Sequence, residues 1–307
     1  MNLYFSTKEV ATALGVSQSS IKRWCDAGDL EMVQTSGGHR RVSMTSLIQF
    51  LRQSQRLLVE PKRLGLPVVE PSMDINYERE REQFKQALIQ SDEDAARAVV
   101  LRLYLRMERI SVIGDELIAP VFTEIGNLWD CGDIQIYEER RCCEICSRIL
   151  REIRSYQPIL DENVPRAIGA TPPGDVYSLP VGLVELVLRE QGWQALSYGC
   201  EIPLRSMERV INEQKPRLAW LSVSFIQNRE TFLNEYASLA ATALNAGTII
   251  VVGGQGLSPE MRRKMDYYMY GDTLRHFELF ASLCYQSTKA TSEASRQEME
   301  AVIQSFL

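Results

Sequence analysis

Apolar residues recur along this chain in three textures: short helical bursts at the amino terminus, long helical stretches through the middle, and short continuous runs alternating with helices toward the carboxy terminus. In STKEVATAL, residues 6–14, Val10, Ala13 and Leu14 share one helical face behind a Ser6 or Thr7 cap, with Glu9 in the first turn and Gly15 as the stop. Ser17 caps a second helix that buries Ile21 and Trp24 and turns Gln18, Ser19, Lys22 and Arg23 outward. Two short helices across a Gly-Val turn predict a helix-turn-helix. Beyond Gly28, the segments Leu30 to Val33 and TSGGHRRVS read as extended chain around Gly37-Gly38, a hairpin wing carrying His39, Arg40 and Arg41.

Residues 57–73 hold three Pro and one Gly without helical period, which predicts a semi-extended linker about which the head reorients. Residues 74–160 are helical in pattern, with breaks near Ser91-Asp92, Glu108 to Ile110 and Cys131 to Asp133, so they predict a four-helix bundle. From Arg166, apolar runs at 167–170, 195–198, 218–223, 248–252 and 267–270 alternate with helical patterns. That alternation predicts a doubly wound parallel sheet over 161–287, followed by a helical tail at 288–307. The fold class is therefore multidomain, α and α/β, with a winged helix-turn-helix over 1–56. In such a sheet, ligands sit beyond the carboxyl ends of the strands, where loops 171–182, 222–229 and 253–257 converge.

Charge sharpens the division. Residues 1–56 carry seven basic and four acidic side chains, a surplus of three, so a net charge of −6 leaves −9 on the rest. A basic head on an acidic body suits a nucleic-acid-binding module joined to a sensor or oligomerisation unit. No apolar run approaches a membrane span and the amino terminus lacks a secretory pattern, so the expected location is the cytoplasm and the seven Cys are expected as free thiols.

On the last bundle helix, Glu139, Cys142, Cys146, Ile149 and Ile153 fall on one face, pointing a carboxylate inward where it needs a partner such as an Arg or a helix end. Cys142, Cys143 and Cys146 include a C-x-x-C pair. Adjacent positions on a helix point about 100° apart, however, so small buried hydrophobes are the better account of these thiols than a metal site.

The run Ser17, Ile21-Lys-Arg-Trp24, Gly28 and Gly37-Gly-His-Arg-Arg41 resembles the MerR/excisionase-type winged helix over about the first 52 residues. The resemblance implies a second helix in the major groove and a wing on the backbone, with Gln18, Ser19, Lys22, Arg23, His39, Arg40 and Arg41 as DNA contacts. Further along, Asp175-Val-Tyr177-Ser-Leu-Pro180, then 41 residues, Ser222-Val-Ser224, then 28 residues, and Gly253-Gly254 resemble the D-x-H-x-x-G, S-x-L and G-G motifs of cobalamin-binding domains at all three spacings. The whole order resembles the CarH/LitR family of cobalamin-dependent, light-responsive MerR-type repressors. That family carries a Trp-x9-Glu-His motif over the upper corrin face, and Trp129 and Glu139 match it while Arg140 stands at the His.

The resemblance implies Trp129, Glu139, Asp175, Tyr177, Ser222, Ser224, Gly253 and Gly254 as cofactor contacts if a ligand is bound. Ser222 and Ser224 would line the floor, and Gly253 to Gly256 would let backbone approach a bulky ligand. Tyr177 replaces the lower axial imidazole, and a phenol with a pKa near 10 is a poor donor to cobalt. The only other His outside the wing is His276, past the last strand. Pro180 and Ser224 also replace the family's Gly and Leu. The sequence thus predicts a non-enzymatic DNA-binding regulator, a repressor, with operator DNA, other copies of itself or a related regulator as partners. Its degenerate sensor is either without cofactor or holds adenosylcobalamin without a His ligand, haem being a further candidate. Two alternatives remain beside it: a tetrapyrrole-binding photoreceptor regulator, and a corrinoid carrier of a methyltransferase system.

Overall fold

In a computed structural model, which describes residues 4–69, 74–158 and 163–289, the chain divides into two compact units, Met1–Ile159 and Leu160–Leu307. The first opens with β1 (Tyr4–Ser6), α1 (Thr7–Leu14) and α2 (Gln18–Ala27), then β2 (Met32–Gln34), β3 (Arg40–Ser43) and α3 (Met44–Ser54). Local chemistry sets these boundaries. Ser6 and Glu9 form a reciprocal capping box, Gly15 and Gly28 end the two helices in left-handed conformations, and Ser17 accepts from the Ser20 N–H at 3.1 Å. The strands pair antiparallel in the order β1-β3-β2, around a core of Val10, Leu14, Ile21, Leu30, Val42, Leu47 and Ile48. A three-residue strand is too short to show alternation, and for that reason β1 is absent from the sequence reading.

Residues 57–69, part of the expected semi-extended linker, contain a local turn. Pro61–Leu64 form a 3-10 turn, Pro61 and Leu64 are buried, and the Val59 and Glu60 N–H groups both donate to the Ala13 carbonyl, at 2.7 and 3.1 Å. Apolar side chains at 61, 64 and 66 give the segment a face to bury, which its Pro content masks in a search for helical period. Residues 70–73 of the expected linker lie outside the described residues.

The bundle follows as α4 (Tyr77–Ile89), α5 (Glu93–Leu105), a third long helix and α8 (Ile136–Tyr156). The third runs from α6 (Ile110–Ile113) through a π-helical turn (Gly114–Ile118) into α7 (Ala119–Asp130). The wide turn lies just ahead of Pro120, whose missing N–H removes one rung of the ladder. Asp92 caps α5 through the Ala95 N–H, and Gly132, at φ 82°, follows the end of α7.

The second unit alternates β4 (Arg166–Ala170), α9 (Ser178–Glu190), β5 (Gln194–Ser197), α10 (Leu204–Gln214), β6 (Leu218–Ser222), α11 (Arg229–Ala246), β7 (Ile249–Gly253), α12 (Pro259–Arg262), β8 (Met269–Gly271) and α13 (Leu274–Lys289). All five strands are parallel, in the order β5-β4-β6-β7-β8, as the doubly wound reading requires. One face buries Ile168, Ala170, Ala219, Leu221, Ile250 and Val252 against α10 and α11, while α9 packs on the other. The order reverses between β4 and β6, and the loops leaving those strands flank the crevice where this fold class binds ligands. The tail expected at 288–307 lies outside the described residues beyond Lys289.

No described helix is long and apolar enough to cross a membrane.

Candidate functional site: a recognition helix and a ligand loop

On the head, Gln18, Ser19, Lys22 and Arg23 are exposed along one side of α2, because Ile21 faces the core and Trp24 packs on Phe50 with ring centroids 4.9 Å apart. His39 is exposed in the turn between β2 and β3, where its N–H donates to Thr35 Oγ1 at 3.2 Å. Arg40 and Arg41 are half-buried and engaged. Arg40 pairs with Asp26 at 2.7 Å and donates to the Lys22 carbonyl at 3.3 Å, tying the wing strand to α2, while Arg41 lies 3.9 Å from Glu9. The four outward residues of α2 and His39 of the wing are thus all exposed on the head. Ion pairing of the Arg40 side chain to Asp26 was not legible from the sequence.

In the bundle, Trp129 is 42% exposed at the end of α7 and Glu139 only 7% exposed on α8. Glu139 Oε1 accepts from the Cys143 thiol at 3.3 Å. Its Oε2 lies 3.5 Å from Arg140 Nε, within ion-pair range, and has no hydrogen-bond partner among the described residues. Burial, with Glu139 second, pushes the Cys142 thiol up to about 11 and raises Cys143 as well, and burial raises Cys146. The raised values reflect thiols packed among apolar neighbours. Among the described residues, no three His, Cys, Asp or Glu side chains gather as metal ligands would.

In the sheet unit, the loop after β4 folds inward. Asp175 is fully buried; Oδ1 accepts from the Tyr177 N–H at 3.1 Å, and Oδ2 from the N–H groups of Ser224 at 2.5 Å and Phe225 at 3.2 Å. Burial raises its pKa against the opposing pull of those three donors. Thr171 Oγ1 donates to the Asp175 carbonyl and accepts from the Glu201 N–H. The loop after β4 is thereby stitched to the loop after β6. Tyr177 is half-buried at the start of α9, and His276 stands half-buried in the first turn of α13, after β8.

The glycines expected to cradle a ligand meet protein backbone instead. A Cβ on Gly254 would sit 2.3 Å from the Val223 carbonyl oxygen, on Gly256 3.0 Å from the same atom, and on Gly253 3.1 Å from the Gly271 oxygen. Their smallness serves the close approach of two loops and a neighbouring strand. Ser222 is buried, and Ser224 contributes its backbone N–H to Asp175.

One residue at this site escaped the sequence reading. Gly169 on β4 and Trp220 on β6 are directly paired across the sheet, and a Cβ on Gly169 would sit 2.0 Å from the indole. The ring therefore lies over the glycine, 2% exposed, and its Nε1 has no hydrogen-bond partner among the described residues. It belongs to the face covered by α9, two residues before Ser222. A bulky aromatic facing a glycine in adjacent apolar runs was the available signal, but it requires the strand register.

Comparison with known proteins agrees with this order of parts. A helix-turn-helix domain model matches residues 4–55, and two models described as B12 binding domains match residues 80–154 and 165–278. Over 268 residues the chain is 22% identical to the HTH-type transcriptional repressor CarA of Myxococcus xanthus, covering 83% of this chain and 88% of that protein. The monomethylamine corrinoid protein of Methanosarcina barkeri shares the fold at a TM-score of 0.57 and 12% identity, over 67% of this chain and 98% of that one. The chain therefore carries a helix-turn-helix domain followed by two B12-binding-type domains.

Proposed function

We propose that the chain is a cytoplasmic, DNA-binding transcriptional repressor whose B12-binding-type region serves as a scaffold for self-association and does not hold cobalamin through a lower His ligand. The reading is carried by the polar surface of α2, where Gln18, Ser19, Lys22 and Arg23 stand exposed on a capped helix beside a basic wing. Such a helix offers amides and hydroxyl groups to base edges and cations to phosphates, and Arg40 holds the wing against it. Similarity to a repressor over most of both chains supports the direction of regulation.

Three arrangements support the reading that cobalamin is not held through a lower His ligand. Tyr177 supplies a phenol in place of an imidazole, and both oxygens of Asp175, two residues before it, accept backbone N–H bonds. Trp220 and the glycines after β7 close-pack the region under the loops. Cobalamin would supply an organometallic bond as a signal when bound, and these residues do not fit its His-ligated form.

Two measurements test the proposal. Purified protein should bind its own upstream DNA with an affinity that falls steeply with salt, and it should emerge colourless from desalting after incubation with adenosylcobalamin or haem. Salt-insensitive, negligible DNA affinity would sink the regulatory half, and a retained corrin band the scaffold half. Methyl transfer dependent on added cobalamin would move the chain to the corrinoid-carrier class, whose fold it shares.

A further inference from the structure

We infer that α3 is a capping plate that pins the DNA-reading head to the bundle, with Arg52 as its principal positioning residue. Thr45, Gln49 and Arg52 lie at i, i+4 and i+7, on one face of α3. Each donates to a carbonyl at the carboxyl end of a bundle helix. Thr45 Oγ1 reaches the Ser155 oxygen at 2.9 Å and Gln49 Nε2 the Tyr156 oxygen at 3.2 Å, both in the last turn of α8. The Arg52 guanidinium donates to the Tyr104 carbonyl in the last turn of α5 and to the Glu108 carbonyl just beyond it, at 3.4 Å.

The physical logic is that of helix ends. The last four carbonyls of a helix have no intrahelical donor, and together they carry a partial negative charge that a cation stabilises. Arg52 answers both needs at the end of α5, and its Cζ also lies 3.8 Å from the centroid of the Tyr104 ring, a cation–π contact. One helix of the head therefore closes the ends of two helices of the bundle.

The strap between head and bundle is fixed from the same two sides. Val59 and Glu60 hold the Ala13 carbonyl of the head, while Arg97 of α5 donates to the Gly65 carbonyl at 2.9 Å. Arg97 is itself held by a two-point pair with Glu152 of α8, at 2.6 and 2.5 Å, which the Tyr156 hydroxyl also joins. Head, strap and bundle thus turn as one body, and the direction of α2 is set by α5 and α8. This consequence for DNA rests on the reading of residues 4–55 as the DNA-binding part; the pin itself does not.

The test uses the full chain and trypsin. Lys62 and Arg63 sit exposed in the strap, so cleavage there reports its opening from the body. Arg52→Ala removes a charge-assisted pin and should raise the cleavage rate about tenfold or more. Gln49→Ala, a milder change that keeps the pin testable should Arg52→Ala fail to fold, should raise it about threefold. Arg56→Ala is the control, since Arg56 stacks on Trp24 within the head, and should cleave as the wild type does. Arg52→Ala should leave the dependence of DNA affinity on salt unaltered, as befits a residue that touches no phosphate. Wild-type cleavage rates in both Arg52→Ala and Gln49→Ala, or a shallower salt dependence in Arg52→Ala, would overturn the proposal. A wild-type protein that binds no DNA yet shows the cleavage pattern would sink the DNA reading and leave the pin standing.

Discussion

The start of α2 and the start of α9 occupy comparable places, each a helix entered from a polar turn that the sequence marks as a candidate binding site. Their polar groups face opposite ways. At α2 the cap is local: Ser17 satisfies the Ser20 N–H, and Gln18, Ser19, Lys22 and Arg23 remain turned to solvent. At α9 the carboxylate of Asp175 reaches across to satisfy the next loop, Gly254 and Gly256 press against Val223, and Trp220 lies over Gly169. A motif residue that stands at the right spacing is available to a ligand only if the fold has not already claimed its bonding capacity.

The largest test of that contrast is Trp220→Ala. Removing a fully packed indole opposite a glycine should destabilise the sheet unit by about 3–5 kcal/mol, because nothing nearby can collapse into the space, and it should leave DNA affinity where it was. Denaturant unfolding checks the first and a binding titration the second. A cost below about 1 kcal/mol would mean that the region under the loops is loose and open to a ligand. Asp175→Asn follows. An amide cannot accept at both positions and presents N–H toward N–H, so the loop after β4 should lose about 1–3 kcal/mol, seen as faster amide exchange at Tyr177, Ser224 and Phe225. Unchanged exchange there would remove the stitching argument.

On the head, Arg23→Ala should weaken binding to all DNA sequences alike and lower the slope of log affinity against log salt by about 1. An unchanged slope would show that the exposed face of α2 is not the phosphate-binding surface, and the contrast with α9 would fail from the other side.

Much of this was legible beforehand because its causes are local or periodic. The caps at Ser6, Ser17 and Asp92, the stops at Gly15 and Gly28, and the alternation of strands and helices beyond Arg166 each show in a few consecutive residues. The spacing from Asp175 to Ser222 and Gly253 identified the second unit's fold for the same reason, since it encodes the lengths of βα repeats. What the sequence withheld were pairings between distant segments. That Asp175 turns toward residues 224 and 225, that Arg40 pairs with Asp26, that Trp220 faces Gly169 and that Arg52 meets the end of α5 all depend on register and on the assembled fold. The turn within the strap at 57–66 was hidden because its prolines mask the three buried apolar positions at 61, 64 and 66.

Acid should separate the two units. Burial raises the pKa of Glu152, but the Arg97 and Tyr156 hydrogen bonds outweigh it and leave the group below its ordinary value. Its contribution is therefore complete above about pH 4, the ordinary glutamate range, and is lost as pH falls through the lowered value. Asp175 shifts the other way. Its ionisation disfavours the fold above its raised value, and that cost disappears as pH falls below the ordinary aspartate range. Acidification from about pH 5 to pH 3 should thus weaken the pairing of α5 with α8 while easing the strain at Asp175. Amide exchange corrected for its intrinsic pH dependence would resolve the two, and parallel losses in both regions would refute the assignment of either carboxylate.

The smallest expected effect is also the most discriminating. Tyr177→His restores the side chain whose replacement first set this chain apart, and if that one substitution were all that separates it from a cobalamin protein, the variant should retain a corrin band after desalting. It should not. An imidazole there would have to share the Asp175 carboxylate with three backbone N–H groups, and would find Trp220 and the β7 glycines packed as before. Near-native stability with no retained absorption is the expected outcome. A stable band in Tyr177→His alone would show that the loop rearranges readily around a suitable ligand, and that the inward bonds of Asp175 are a resting arrangement and not a commitment of the fold.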